Sequence, residues 1–227
     1  MCDALGVRIG VLGGTGPAGK GIAARLASLG HEVVVGSRDH DRAAGVVDDL
    51  KARWGDRLKT LEPGTNPQAA ESDLVVIATV WNAAVPTARY LADKLDGKIV
   101  VAMANGLERQ DREFRAVLPE EGSIAQAIQA AAPGAKVVAA LQHVPAVSLG
   151  DLGHDLDSDV LVAGDDDAAR TFVIDLIDTI PGLRAFDAGS LQNAVGIEAF
   201  AAPLLTVNLR HQGRATLRIA GIGKRSR

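Results

Sequence analysis

At 227 residues, 47% hydrophobic and 23% charged, the chain can bury one large core, which excludes wholesale disorder. A net charge of −4, 3% aromatic residues and a single cysteine, Cys2, argue against nucleic acid as a partner, an intramolecular disulfide and a thiolate metal cluster. No charged leader precedes an apolar run, and no stretch approaches the roughly 20 apolar residues that span a bilayer, so a cytoplasmic protein with no membrane partner is expected.

Strand and helix patterns alternate from the start, which predicts an α/β fold with a Rossmann-type, doubly wound, mostly parallel sheet. An apolar strand over Val7–Leu12 runs into a glycine cluster. A helix over Gly16–Leu29 follows, with Ile22, Leu26 and Leu29 on one side and Gly30 as its stop. Val33–Val35 reads as a second buried strand, and Asp39–Trp54 as a helix with Asp39 at its N-cap. Leu58–Leu61 is a short strand, followed after Pro63 by a loop with a short helix. Strands at Leu74–Thr79 and Ile99–Ala102 flank a helix over Ala83–Leu95. From Met103 to Gly122 no period is visible, and two readings stand side by side: a lid-like loop, or a short helix around Arg112–Leu118. Next come a helix over Ser123–Ala131, strands at Val137–Leu141 and Asp159–Ala163, a helix over Asp167–Ile180 and a strand at Leu183–Phe186. Ser190–His211 is an apolar helical segment interrupted by Pro203, and the tail Gly223–Arg227 reads as disordered.

Gly14-Thr15-Gly16-Pro17-Ala18-Gly19 fits G-x-G-x-x-G between the first strand and the first helix. In that context Gly14 permits the tight turn, Gly16 lets a pyrophosphate approach the backbone, and Gly19 lets helix and strand pack closely. Pro17 suits the first helical turn, and the helix N-terminus offers N–H groups to phosphate. At the end of the second strand stands Gly36-Ser37-Arg38, where NAD-specific folds place a carboxylate for the ribose hydroxyls. A hydroxyl at Ser37 with guanidinium groups at Arg38 and Arg42 suits a 2′-phosphate instead, so NADP is favoured over NAD. The competing readings are that Arg38 and Arg42 pair with Asp39 and Asp41 on a solvated helix surface, and that Asp39 turns toward the ribose.

Taken in order, these motifs resemble the F420-dependent NADP reductases. Gly13-Gly14-Thr15-Gly16 with Gly19-Lys20-Gly21, Val34-Val35-Gly36-Ser37-Arg38, Trp81, His143-Val144-Pro145-Ala146, Gly164-Asp165-Asp166 and Asp187-Ala188-Gly189 carry the likeness over residues 7–217. The resemblance implies NADP(H) bound across the strand ends, with the deazaflavin coenzyme F420 stacked on its nicotinamide as co-substrate. By that likeness Thr15, Gly16, Pro17 and Ala18 line the pyrophosphate, while Ser37, Arg38 and Arg42 hold the 2′-phosphate. Thr79, Val80 and Trp81 lie along the path from adenosine to nicotinamide, and His143, Val144, Pro145, Ala146 and the backbone around Leu217 face the deazaflavin. The family pattern has a proline-containing run where this chain reads Met103-Ala104-Asn105-Gly106-Leu107. Residues 7–188 are expected to form the NADP-binding unit, and 189–227 a helical segment that closes the cleft and contributes to a homodimer.

Hydride transfer between two bound rings is a matter of positioning, so no catalytic acid or base is assigned. Small residues such as Ala104 and Ala146 suit the wall of such a site. An NADP-dependent hydroxyacid or imine dehydrogenase is the nearest alternative. A hydroxyacid enzyme needs a proton-moving group, yet no lysine occurs between Lys136 and Lys224, leaving His143, His154 or His211. His143, before the Val144-Pro145 turn, can equally be a turn histidine bonded to backbone. A non-enzymatic NADP(H) sensor is a third reading. Asp165-Asp166-Asp167 is read as a helix cap rather than a metal site. Arg109, Arg112 and Arg115 could meet the acidic tail of F420 or form a solvated surface with Glu108, Asp111 and Glu113.

Overall fold

A computed structural model describes residues 6–222, so Cys2 and the tail from Gly223 lie outside the described residues. In chain order the elements are β1 (Arg8–Leu12), α1 (Pro17–Ser28), β2 (Glu32–Ser37), α2 (His40–Trp54), β3 (Leu61–Thr65), α3 (Asn66–Ala69) and β4 (Leu74–Ile77). Then follow α4 (Trp81–Tyr90), α5 (Ala92–Leu95), β5 (Ile99–Ala102), β6 (Leu107–Gln110), β7 (Glu113–Ala116), α6 (Ile124–Ala131) and β8 (Lys136–Ala139). The chain continues with α7 (Ala146–Leu149), β9 (Ser158–Gly164), α8 (Asp167–Asp178), β10 (Leu183–Asp187) and α9 (Ala194–His211).

Eight strands form one sheet in the order β10-β9-β8-β5-β4-β1-β2-β3. The six from β3 to β8 are parallel, β9 runs against β8, and β10 runs parallel to β9. Each side of the sheet buries its own apolar layer. Ile22 and Leu26 of α1 and Val173 and Ile174 of α8 belong to one, Ala84 and Ala88 of α4 and Ile124 and Ile128 of α6 to the other. This is the doubly wound, mostly parallel architecture that the alternating pattern predicts, with the switch in winding beside β1.

Three local expectations need correction. Residues 55–58 form a 3-10 turn and the strand begins at Leu61, so Pro63 lies inside β3. The sheet ends at β3, where a missing N–H is tolerated. The segment from 103 to 122 is neither a structureless loop nor a helix: β6 and β7 pair as a hairpin whose turn is Asp111-Arg112, with Asp111 at φ +51°. An isolated two-stranded ribbon is marginal in water. Here it leans on α9, where the Phe114 N–H donates to Thr206 Oγ1 at 2.8 Å, so distant packing rather than local pattern creates it. Pro203 does not interrupt the last helix, which runs unbroken over 18 residues.

Two consecutive residues dock α9. The Ile197 carbonyl accepts from His143 Nε2 at 2.6 Å. The Glu198 carboxylate, 1% exposed, accepts the Ile124 and Ala125 N–H groups at 2.7 and 2.9 Å and so caps α6. Burial pushes the Glu198 carboxyl up to about 7. The folded state therefore keeps a proton that the unfolded chain has released, and ionising it as pH rises toward about 7 costs stability. Relative to a Glu198→Gln variant, the wild-type protein should lose about 3 kcal/mol between about pH 4.5 and pH 8. Urea unfolding across that range measures the difference, and parallel curves for the two proteins would contradict it.

Beyond α9, Gln212 adopts φ +51° and the chain returns in extended form to β9. The Asp159 N–H donates to the Leu217 carbonyl at 2.8 Å. The Asp159 carboxylate, fully buried, takes both Arg184 Nε and Nη2 at 2.7 and 2.6 Å, Arg218 Nη1 at 3.1 Å, and the Ile219 N–H.

Candidate functional site

The site begins where β1 ends. Gly13 takes φ +74°, and a Cβ there would lie 2.7 Å from Thr79 Cγ2, so the tight turn falls one residue earlier than Gly14. Gly14 instead donates its N–H to the Val11 and Gly36 carbonyls, at 3.2 and 2.9 Å. A Cβ on Gly19 would collide with the Gly13 carbonyl, which is the close helix-to-strand contact expected of the third glycine. A Cβ on Gly16 would stand at ordinary contact distance, 3.5 Å, from the Gly13 carbonyl, and the residue lines the cleft. No side chain caps α1, whose N1 residue is Pro17, and its first-turn N–H groups are left for an anion.

From this turn a cleft of about 450 Å³ extends across the carboxyl ends of β1, β2 and β4. Thr15, Gly16, Pro17 and Ala18 form its floor. At one end stand Ser37, Arg38 and Arg42, and along the other side run Ala78, Thr79, Val80, Ala83 and Thr87, with Ala146 reaching in from the turn after β8. Ser37 is buried and its Oγ accepts the Asp39 N–H at 3.3 Å. The Asp39 carboxylate caps α2 through one oxygen, Oδ1, which accepts the Asp41 and Arg42 N–H groups at 2.9 and 3.5 Å. Arg38 and Arg42 are exposed and, among the described residues, make no ion pair with Asp39, Asp41 or any other acid; Asp41 is instead near His40. The corner thus holds a hydroxyl and two guanidinium groups that make no ion pair among the described residues, with the neighbouring Asp39 bonded through Oδ1 to the start of α2.

Thr79 Oγ1 is buried in the cleft wall without a hydrogen-bond partner. An orphaned hydroxyl and a helix N-terminus with no side-chain cap, both on a cleft lined by Gly16, together fit a bound dinucleotide. Two further orphans, Asn105 Oδ1 and Gln142 Oε1, lie just past β5 and β8, where Asn105 Nδ2 donates to the Gln142 carbonyl at 3.0 Å. Sequence reading missed Asn66 as well. Its Oδ1 accepts the Gly13 N–H at 3.2 Å and it lines the cleft, a role whose only local sign is the capping box between Thr65 and Gln68 that precisely spaces α3 after β3.

Other predicted positions lie elsewhere. Trp81 is the first residue of α4, half-buried against the core, and Ala104 is buried behind the strand ends. The turn His143-Val144-Pro145-Ala146 divides the main cleft from a second hollow of about 260 Å³, which Val144, Pro145, Ser158, Arg214 and Thr216 help to line. His143 lines neither. Its ring is buried, meets Phe200 edge-on at 5.5 Å, and donates from Nε2 to the Ile197 carbonyl; burial holds its pKa below the ordinary histidine value. Leu217 is half-buried beside β9, at the rim of the second hollow next to Thr216. His154 and His211 are exposed. Asp165 accepts the Leu191 N–H, Asp166 caps α8, and Asp167 pairs with Arg170, so the three acids do separate structural work. On the hairpin, Arg115 pairs with Glu113 and Arg109 donates to the Asp111 carbonyl, as in the solvated-surface reading.

Fold and cleft together define a dinucleotide-binding protein of the Rossmann class. The family described as "NADP oxidoreductase coenzyme F420-dependent" matches residues 8–106. A protein named F420-dependent NADP reductase from Methanocaldococcus jannaschii is 33% identical over 215 residues, covering 92% of this chain and 96% of that one. Its namesake from Methanothermobacter thermautotrophicus is 32% identical over 228 residues, 98% of each chain. Among solved structures, a putative F420-dependent NADP-reductase from Arthrobacter sp. FB24 superposes with a TM-score of 0.72 at 31% identity, over 90% of this chain and 92% of that one. The chain belongs to the F420-dependent NADP reductase family.

Proposed function

We propose that this chain moves a hydride reversibly between NADP(H) and coenzyme F420. The observation that carries the reading is the corner of Ser37, Arg38 and Arg42, whose guanidinium groups make no ion pair among the described residues, in a chain related over nearly its whole length to proteins of that name. When bound, the nicotinamide supplies the hydride-carrying carbon and the deazaflavin the accepting one. Thr15 to Ala18 and the α1 N-terminus would hold the pyrophosphate, and Ser37, Arg38 and Arg42 the 2′-phosphate. Thr79 would donate its orphaned hydroxyl to the nucleotide. Val144, Pro145, Ala146 and the backbone near Leu217 would bound the deazaflavin, with His143 fixing their turn against α9. No side chain is asked to carry a proton, because the work is to orient two rings and exclude water.

The reading treats 7–188 as the nucleotide-binding unit and 189–227 as the segment closing the cleft, in a cytoplasmic homodimer. Supporting the dimer, Gly196, Phe200, Pro203 and Val207 form an exposed, largely apolar stripe on one side of α9. Among the described residues no helix is long and apolar enough to cross a membrane. The decisive assay follows the absorbance of oxidised F420 on mixing with NADPH or NADH. Bleaching with NADPH and little with NADH is expected. NADPH binding without bleaching would leave a sensor, and no response to either nucleotide would end the proposal.

A further inference from the structure

The first helix carries an arginine with no place in the cleft. Arg25 of α1 is 3% exposed and forms no ion pair among the described residues. Its guanidinium donates instead to four backbone carbonyls of a single loop: Leu149 and Ser148, both at 3.0 Å, His154 at 2.8 Å, and Asp151. Burying an unpaired cation is costly unless its donors find acceptors, and here those on Nε and Nη2 hold one segment. One helical turn earlier, Gly21 lets that segment close on α1: a Cβ there would stand 2.9 Å from Leu149 Cβ and 3.2 Å from the Ala146 carbonyl. Arg57 adds a bond to the Leu152 carbonyl at 2.9 Å.

The two ends of this clamp are the two halves of the site. Helix α1 starts at Pro17, on the floor of the nucleotide cleft, while α7 starts at Ala146, in the turn that parts that cleft from the second hollow. We infer that Arg25, with Gly21, is a positioning device that sets the spacing between the nucleotide's phosphate turn and the 143–146 turn against which the second ring would lie. The inference rests on the two-cofactor reading. Arg25 touches neither cofactor, so its removal should spare nucleotide binding and impair use of the hydride acceptor.

The test compares wild type with Arg25→Met and Arg25→Lys. For Arg25→Met, NADPH affinity by fluorescence titration should stay within about twofold, while KM for F420 rises about tenfold and kcat falls. Amide exchange over 146–154 should quicken. Arg25→Lys, with one compact donor head in place of a fork, should recover part of the loss. Unchanged F420 kinetics in Arg25→Met, or NADPH and F420 affinities falling together, would overturn the clamp. If Arg25→Met does not fold, Gly21→Ala is measured the same way, and an unaltered KM for F420 there would overturn it too. Should wild type bleach no F420, the functional reading fails, and the exchange rates alone decide whether Arg25 holds the loop.

Discussion

Replacing Ser37 by Asp and Arg38 by Ala is expected to reverse the nucleotide preference, moving the NADPH-to-NADH ratio of kcat/KM by about a thousandfold. The change removes a hydroxyl and a guanidinium from the corner and adds a carboxylate beside the site of the 2′-phosphate. Charge-assisted hydrogen bonds contribute about 2 kcal/mol each, and about 1.4 kcal/mol is a factor of ten. Asp39 has one oxygen, Oδ1, engaged in capping α2. Arg42 stays in place and leaves some NADPH binding, so the reversal should fall short of full NAD specificity. Steady-state kinetics with both nucleotides decides the matter, and an unaltered ratio would remove the corner from phosphate recognition.

The second large effect is on stability. Asp159→Ala should cost about 3 kcal/mol, measured as a lowered urea midpoint, because it strands a partner of a buried pair. Arg184 would keep its charge, at 28% side-chain exposure, with no carboxylate opposite. Burial alone would push the Asp159 carboxyl up, but the Arg184 fork and the Ile219 N–H outweigh it and hold the group below its ordinary value. Its contribution is therefore complete above about pH 4 and is lost as pH falls through the depressed folded value, opposite in sense to Glu198. The return segment from Thr216 to Ile219 is fastened chiefly through this residue, so limited proteolysis after Gln212 should accelerate in the same variant. A loss of stability below about 1 kcal/mol would show the hub to be dispensable.

What was legible in the sequence was what short stretches of chain decide by themselves. The glycine turn, the first helix with Pro17 at its start, the Asp39 cap and the Ser37-Arg38 corner are all built from neighbours, and each lies close to where the residues put it. Direction of a strand is not of that kind. The apolar run in β9 reads the same whether it lies with β8 or against it, and the connection over 140–157 is long enough for either direction. The β6–β7 hairpin is hidden for a related reason: β7 packs against α9, a helix about ninety residues further along the chain. Asn66 and Arg25 act through backbone atoms of remote segments, and backbone atoms leave no trace in side-chain patterns. The tight turn falls on Gly13 and not on Gly14 because only geometry distinguishes the residue at positive φ from the one beside it.

The docking of α9 by adjacent residues has a mechanical consequence. Ile197 is held through its main chain from one direction and Glu198 through its side chain from another. Sliding the helix along its axis, or rolling it, breaks both bonds at once, so no intermediate register offers partial relief. The C-terminal segment should therefore melt in the same transition as the sheet, and calorimetry should record a single peak rather than an early shoulder from a detachable cap.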